Sequence, residues 1–304
     1  NALLMQGDYA GAMANYKLAN DRENYSEAFR YYRKQVTEKY FGVYMFIAAA
    51  LIIYILFFAT SKKSEQSVAE AKAEQAAAYE KVLQWESMKK RPLKVQLLRI
   101  KHGLHFALKL IVSPIQGFWD LKYEKRGNLP TAMVLLALLI ISYLVNYQYS
   151  GFIFNTRDPR TLNIVSESIS ILVPIIMWAA INWSLTTLMN GKGSFKEILI
   201  ATSYSFTPLI LVLVPLTIIS NYLTMDEGTF YYLVLSIALV WSLMLMFFGT
   251  MVTHEYSLPA TIGVTILILV GVGITLFILL LFVDIVLQLF AFFGEVYREF
   301  VFRL

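Results

Sequence analysis

Few residues in this sequence have the type and spacing that chemistry requires, and the clearest of them lie inside an apolar stretch. Asp284 and Gln288 in "LLLFVDIVLQLF" are four residues apart, so a helix would place both side chains on one face. An aspartate at the centre of a membrane-spanning helix costs roughly 2.5–3.5 kcal/mol to insert, which makes it a functional candidate. Two interpretations stay open: the pair faces the interior of a helical bundle, or it lies among the outer head groups.

A second pair with ligand-like spacing is His102 and His105 in "HGLH". The chain contains no cysteine, and no third ligand is indicated, so the sequence predicts no metal site. The motifs of phosphate-binding loops, zinc-dependent hydrolases and serine nucleophile elbows are missing. We therefore expect a non-enzymatic protein without a cofactor.

The elements that must position these residues follow from a composition typical of membrane proteins. Hydrophobic residues make up 58% of the 304 positions and charged residues 15%, against about 45–50% and 25% in soluble domains. Roughly 18 apolar residues in a helix cross the hydrocarbon, and lipid offers no partner to non-helical backbone. The sequence thus predicts an all-α, polytopic fold with six transmembrane helices. They cover residues 42–60, 130–150, 168–189, 198–222, 230–252 and 260–288.

The distribution of basic residues predicts the orientation of these spans. Residues 61–129 contain 14 lysines and arginines but 7 acidic residues, and such a segment stays in the cytoplasm. Residues 1–41 and the amphipathic tail 291–304 are then extracellular. The short loops agree in part, since Lys192 falls inside, whereas Arg157 and Arg160 fall outside against the rule.

The predicted exterior segment, residues 1–41, has small and aromatic residues at the spacing of the second half of a tetratricopeptide repeat. These residues are Gly7, Tyr9, Ala12, Tyr16 and Ala19. An ordinary amphipathic helical hairpin is the alternative interpretation. Because one repeat cannot bury its own apolar face, we expect further repeats upstream.

The predicted cytoplasmic arm, residues 61–129, has two parts. Up to Pro92 it is rich in strong helix formers, which indicates a helix that serves as a spacer or as a docking arm. After Pro92, apolar residues including Leu97 and Leu108 recur at helical spacing, with basic residues on another face. The sequence predicts a basic amphipathic helix on the anionic inner leaflet, or alternatively a surface for a partner protein. The contact residues would be Lys94, Lys101, His105, Phe118 and Trp119.

The stretch "NGKGSFKEILIATSYSFTPLIL" interrupts the apolar runs with glycines, hydroxyl residues and a proline. Gly191 and Gly193 indicate a tight reversal, and Ser194 can cap the helix that begins at Phe195. Pro208 removes a backbone amide inside the next helix, so nearby hydroxyl groups are expected to bind the freed carbonyl. The candidates are Ser203, Ser205 and Thr207.

Three segments resemble the Yip (Ypt-interacting protein) membrane domain in its bacterial form: "IVSPIQGFWDLK", "GKGSFKEILIATSYSFTPLIL" and "HEYSLPATIGV". The resemblance covers about residues 108–290 and implies one anchor helix followed by a five-helix bundle over residues 130–290. Thr202 and Ser203 stand where we would expect a glycine beside the tyrosine. Its most specific residues are Gly191, Gly193, Phe195, Lys196, Glu197, Tyr204 and Pro208.

The resemblance implies a function but supplies no catalytic residue. Bacterial relatives with an outward repeat domain resemble auxiliary components of carbohydrate importers of the ATP-binding-cassette type. We therefore expect an accessory subunit of a bacterial cell membrane, in contact with the lipid bilayer, permease subunits and a solute-binding protein or glycan, but not with nucleic acid. A membrane-shaping protein is one alternative, and a secondary transporter or channel is another.

Overall fold

The computed structural model describes residues 2–61 and 92–302, and in that part the chain is helical without any β-strand. The predicted helix before Pro92 lies outside the described residues over positions 62–91. The α-helices are α1 (Ala2–Met5), α2 (Tyr9–Leu18), α3 (Arg22–Ser61), α4 (Pro92–Val112), α5 (Pro114–Tyr123), α6 (Leu129–Tyr149), α7 (Ile164–Leu188), α8 (Phe195–Ser205), α9 (Thr207–Ser220), α10 (Gly228–His254) and α11 (Leu258–Phe302).

Five segments of the described chain are long and apolar enough to cross a membrane, which confirms an all-α fold with several spans. They are Leu129–Tyr149, Ile164–Leu188, Phe195–Ser220, Gly228–His254 and Leu258–Glu299. The predicted first span, residues 42–60, continues α3, which is helical as far as Ser61. The last helix, α11, has 45 residues. At 1.5 Å per residue it is roughly twice as long as the ~30 Å hydrocarbon layer is thick.

The described chain divides into two compact units. The first unit comprises Asn1–His102, Val145–Leu162 and Val212–Ser236, and the second comprises Gly103–Leu144, Asn163–Leu211 and Ile237–Leu304. The second unit has the larger apolar core, which joins side chains from α4, α5, α6, α8 and α10. Its buried members are Phe106, Ala107, Leu110, Phe118, Leu121, Ala132, Leu135, Ile200, Ala201, Tyr204 and Leu245.

Helix α4 packs into this core through a face other than its leucine face, which the sequence assigns to the membrane surface or to a partner protein. Leu97 is 61% exposed and Leu108 is 45% exposed, so both are available for such a contact. The buried face instead carries Phe106, Ala107 and Leu110. This face packs inward because α4 and α6 approach closely, since a Cβ on Gly103 would lie 2.5 Å from Thr131 Oγ1. A face with glycine and alanine lets two helices come closer than a leucine face does.

The span Phe195–Ser220 is broken where the sequence predicts a bend. Helix α8 ends at Ser205 and α9 begins at Thr207, next to Pro208, which lacks the amide that would bind the carbonyl of Tyr204. Thr207 Oγ1 donates to that same carbonyl oxygen at 2.7 Å. The prediction that a hydroxyl group binds the carbonyl freed by the proline is confirmed. The Tyr204 carbonyl therefore keeps a hydrogen-bond partner within the chain. Ser205 Oγ likewise donates to the carbonyl of Ala201 at 2.8 Å.

Replacing Gly103 by valine is expected to destabilise the second unit by about 1–3 kcal/mol, because overpacking a filled core has a cost of that order. The new side chain would meet Thr131 and the Tyr204 hydroxyl, whose oxygen lies 2.9 Å from the Cβ position. Thr131 cannot easily turn away, since its Oγ1 donates to Asn128 Oδ1 at 2.7 Å. The midpoint of thermal unfolding of the detergent-purified chain measures the effect.

The matched control for this substitution is Gly263→Val in α11, where a Cβ meets no atom within 4 Å. Both changes add the same β-branched side chain to a helix, so their intrinsic helix cost is equal. An equal fall in the unfolding midpoint of the two variants would contradict the packing assigned to Gly103.

Candidate functional site

The N-terminal residues of the first unit form a helical hairpin. The Asp8 carboxylate caps α2 by accepting a hydrogen bond from the backbone amide of Gly11 at 3.0 Å. Ala12 in α2 and Ala28 in α3 are both buried. The rings of Tyr9 and Tyr31 stack with their centroids 5.6 Å apart. Small buried residues and stacked tyrosines thus join the two helices.

One strong ion pair connects α3 to the loop between α9 and α10. Arg33 donates to both carboxylate oxygens of Glu227, at 2.7 and 2.9 Å, and to the carbonyl of Tyr222 at 2.8 Å. The Arg33 hydrogen bonds, together with those from Thr224, lower the pKa of Glu227 from 4.5 to about 2. A two-bond arginine–carboxylate pair fixes orientation as well as distance, so α3 is held in one position on this loop.

Further contacts attach α3 to loops of the first unit. Ser26 Oγ accepts a hydrogen bond from the amide of Met225 at 2.7 Å. Arg22 donates to the carbonyls of Phe152 and Asn155 at 3.3 and 3.2 Å. We call the contacts of Arg22, Ser26 and Arg33 with these loops the N-terminal junction. It ties the helical hairpin to the loops that follow α6 and α9.

In the second unit, the loop before α8 packs against the loop between α10 and α11. A Cβ on Gly191 would lie 2.6 Å from His254 Nδ1, and one on Gly193 would lie 2.6 Å from Thr253 Cγ2. The amide of Gly193 donates to His254 Nδ1 at 3.3 Å. We call the contacts of these two loops, together with the end of α5, the loop junction. Each of the three family-like segments contributes residues to this junction.

The two glycines have a different role from the predicted one. The sequence suggests that Gly191 and Gly193 permit a tight reversal, but neither has a positive φ. The left-handed residues of the loop junction are Asn190, with φ 58°, and Glu255, with φ 59°. The glycines are required because the loops approach so closely that a side chain would not fit.

Glu255 is the electrostatic centre of the loop junction. Its carboxylate accepts hydrogen bonds from Lys122 Nζ at 2.8 Å, from Lys192 Nζ at 2.5 Å and from the Tyr123 hydroxyl. Lys122 also donates to the carbonyl of Thr253 at 2.9 Å. The bonds from Lys122 and Lys192 lower the pKa of Glu255 from 4.5 to about 2. One carboxylate therefore joins the end of α5 to both loops.

The other residues named as specific to the family resemblance stabilise the start of the span Phe195–Ser220. Ser194 and Glu197 form a capping box: Glu197 donates its amide to Ser194 Oγ at 3.4 Å, and Ser194 donates its amide to Glu197 Oε2 at 2.9 Å. The rings of Phe195 and Trp183 meet at 6.2 Å. Tyr204 is fully buried, whereas Lys196 is exposed. These residues position the start of the span Phe195–Ser220.

The predicted surface anchors are separated by the structure. Phe118 is 1% exposed and belongs to the core, so its prediction as an interface anchor is wrong. The reason is Gly117, which lets α5 come within contact distance of Leu110. Trp119 is 45% exposed, and both Lys101 and His105 are exposed. The side chain of Lys94 lies outside the described part of the chain.

Asp284 and Gln288 share a helix face as predicted, and Gln288 Nε2 donates to Asp284 Oδ2 at 2.7 Å. Both side chains are exposed, so neither faces the interior of this chain's bundle. No group of three histidine, aspartate or glutamate side chains among residues 2–61 and 92–302 is close enough together to hold a metal ion. The chemistry of the described chain is therefore concentrated in ion pairs at the ends of helices.

Sequence reasoning misses the partners of these ion pairs. Glu255 lies in the family-like segment "HEYSLPATIGV", but it is 133 residues from Lys122 and 63 from Lys192. Arg33 and Glu227 are 194 residues apart. The available signal is that a carboxylate stands in a short loop between two apolar spans, where it must find a cation or water.

We expect the stability of the chain to depend on the ionisation of Glu255. Because its pKa is lowered in the folded state, the carboxylate stabilises the fold above pH ~4.5, and this contribution is lost as the pH falls from about 4.5 towards 2. Glu255→Gln should lower the midpoint of thermal unfolding at pH 7, with a gap to the wild type that narrows at acidic pH. A series of melting curves from pH 7 to pH 3 measures this.

Glu27→Gln is the control for this series, since Glu27 is exposed and lies on α3 away from the loop junction. It should leave the melting curve close to that of the wild type at every pH. A gap between the wild type and Glu255→Gln that stays constant down to pH 3 would show that the carboxylate does not act through its charge.

The geometry of the loop junction places all three family-like segments in direct contact, since Lys122, Lys192 and Glu255 each belong to a different one. A family profile of the Yip1 domain matches residues 108–282, more than half of the 304-residue chain, and the matched range contains the whole loop junction. No curated protein and no solved structure matches the chain significantly. With its apolar helices and the profile match, the chain belongs to the Yip1 domain family of multi-pass membrane proteins.

Proposed function

We propose that this chain is a non-enzymatic accessory or scaffold subunit of a bacterial membrane assembly, most concretely of a carbohydrate importer of the ATP-binding-cassette type. The observation that carries the proposal is the N-terminal junction, in which Arg33 and Glu227 form two parallel hydrogen bonds. A segment that is presented for recognition needs a defined attachment. A segment that is already fixed loses less freedom on binding, and each degree of freedom lost would weaken the affinity. The segment presented is the helical hairpin and any repeats before it.

The contacts within each unit support the proposed orientation. The contacts of Arg22, Ser26 and Arg33 group the loops 150–163 and 221–227 with the hairpin, and those of Glu255 group the loops 189–194 and 255–257 with Lys122. The segment 61–129, with its 14 basic residues, contains Lys122. The positive-inside rule then places the loop junction in the cytoplasm and the hairpin outside the cell.

The interior of the bundle supports a scaffold more than a carrier. Many buried hydroxyl groups bind carbonyls of their own helix, as Thr186 does with Asn182 at 2.6 Å. No lysine or arginine is buried among the described residues, and the buried carboxylate there, Asp120, lies in α5 outside the spans. Transporters place charged or polar groups along a path at the midplane, whereas polar side chains in the described spans bind one another, as Asn182 does with Thr250 and Asn146 with Thr217.

A membrane-shaping protein is the second candidate, and the surface of α4 favours it. Lys101 and His105 are exposed on the same helix as the exposed Leu97 and Leu108. A helix with exposed leucines beside basic residues binds the interface of an anionic bilayer. Phe106 of the same helix contacts the core and leaves these side chains exposed. Deleting the helix would therefore remove core contacts and damage the bundle. Point substitutions are therefore the proper test of this candidate.

The proposed orientation predicts which positions are reachable from outside. The chain has no cysteine, so single thiols can be labelled without background. In intact cells, a membrane-impermeant maleimide should label Asp226→Cys but not Lys196→Cys, both of which replace exposed side chains. Opening the cells with detergent should make the two positions react equally. Labelling of Lys196→Cys alone in intact cells would reverse the orientation and contradict the proposal.

The accessory function predicts that Arg33→Gln weakens recovery of companion subunits, because it removes the two-bond ion pair that fixes the hairpin. Arg30→Gln is the matched control one turn away, since Arg30 contacts Asp226 at 3.4 Å with both side chains exposed, and such pairs contribute little. The tagged chain is purified in mild detergent and its companions are identified by mass spectrometry. Recovery of an importer's permease subunit should fall severalfold for Arg33→Gln only.

Two results would replace the proposed function. If Arg33→Gln had no effect and Leu97→Ser with Leu108→Ser abolished curvature of anionic vesicles, the membrane-shaping candidate would be correct. If the purified chain without companions moved ions or sugars into liposomes, the carrier class would be correct. In either case the junction would be a structural contact without a role in presentation.

A further inference from the structure

The first unit contains a cleft of about 920 Å³ beside the helical hairpin. One wall is formed by the end of α2 and the start of α3, and the other by the segment that follows α6. Both walls belong to the first unit. The charged residues that line it are Lys17, Arg22, Arg157, Asp158 and Arg160.

The lining of this cleft is strongly basic. Four cationic side chains stand against the single carboxylate of Asp158, so the lining carries a net charge of 4 − 1 = +3. Asp158 Oδ1 already accepts a hydrogen bond from the backbone amide of Arg160 at 2.9 Å. Among the described residues, Lys17, Arg22 and Arg160 form no ion pair with a carboxylate. The like charges of Lys17, Arg22 and Arg160 around one cavity repel each other, and an anion relieves that repulsion.

The cations are held in place by the aromatic ring of Phe152. The guanidinium of Arg22 lies 5.3 Å from the ring centroid and the ammonium of Lys17 lies 5.9 Å from it. Arg22 also donates its Nε and Nη2 groups to the carbonyls of Phe152 and Asn155. A guanidinium has five N–H donors, so Arg22 keeps donors for a ligand while its position stays fixed.

The cleft lies at the level where a membrane surface is expected. Tyr149, which lines it, is the last residue of the span Leu129–Tyr149, and Asn221, which also lines it, follows the span that ends at Ser220. Arg160 lies in the segment that follows the span Leu129–Tyr149, so a ligand with negative charge at this height would be within its reach.

We propose that this cleft binds a phosphate group at the membrane surface, either in the head group of an anionic phospholipid or in a soluble phosphate ester. Arginine forms two parallel hydrogen bonds to phosphate oxygens, and lysine adds a point charge. The set of Arg22, Arg160 and Lys17 supplies both kinds of contact around one cavity. The site does not depend on the identity of any companion subunit or on which side of the membrane the hairpin lies.

The test compares the full chain with two double variants of equal charge. Lys17→Gln with Arg160→Gln removes two cleft cations that have no ion pair to lose, whereas Lys34→Gln with Lys39→Gln removes two cations of α3 outside the cleft. Each purified protein is placed in nanodiscs of phosphatidylcholine with a minor fraction of spin-labelled phosphatidylglycerol. The fraction of immobilised label gives the affinity, and equal melting midpoints confirm that both variants are folded.

The wild type and the control variant should retain phosphatidylglycerol over phosphatidylcholine, and the cleft variant should bind it at least ~10-fold more weakly, as expected for lost charge-assisted contacts. Displacement of the label by millimolar glycerol 1-phosphate assigns the site to soluble phosphate esters, and lack of displacement assigns it to the lipid. Equal retention by the two double variants, or equal retention of both lipids by the wild type, would overturn the proposal. Loss of companion subunits from Arg33→Gln would not affect this result.

Discussion

Hydrocarbon offers neither hydrogen bonds nor compensating charge, and the polar contacts of this chain follow from that constraint. Inside the spans, hydroxyl groups bind carbonyls of their own helix, and Thr207 satisfies the carbonyl that Pro208 leaves free. Charged contacts occur where the helices leave the apolar region. Arg33 with Glu227 and Glu255 with two lysines are the strongest of them. The strongest charged contacts of the described chain therefore lie at the ends of helices, whereas the apolar core joins their middles.

The two junctions have different relations to the family. The loop junction lies inside the residues matched by the Yip1 domain, and its glycines, histidine and glutamate belong to the segments that carry the resemblance. The N-terminal junction joins that domain to a helical hairpin that lies before the matched range. Glu227 belongs to the matched range, whereas Arg33 does not. An attachment of this kind is what an accessory subunit requires, because the domain would provide the anchor and the hairpin the recognition surface.

The basic cleft adds a second use for the same end of the molecule. Arg22 takes part both in the N-terminal junction and in the wall of the cleft. A phosphate group in the cleft would compensate charges that lie beside the attachment of the hairpin. Ligand and attachment would then stabilise each other, because a ligand that binds only the folded arrangement raises its stability.

The sequence by itself predicted the all-α fold and apolar runs that overlap the five spans of the described chain, because the length of an apolar run is a local property set by the thickness of the hydrocarbon. It also predicted that Ser194 caps the helix that begins at Phe195, because a cap and its partner lie within one turn of each other. Only the tertiary structure decided that Phe118 is buried, that Gly191 and Gly193 make room for His254, and that Glu255 binds lysines far away in the chain. These features depend on which segments meet in space, and neither periodicity nor charge counting contains that information.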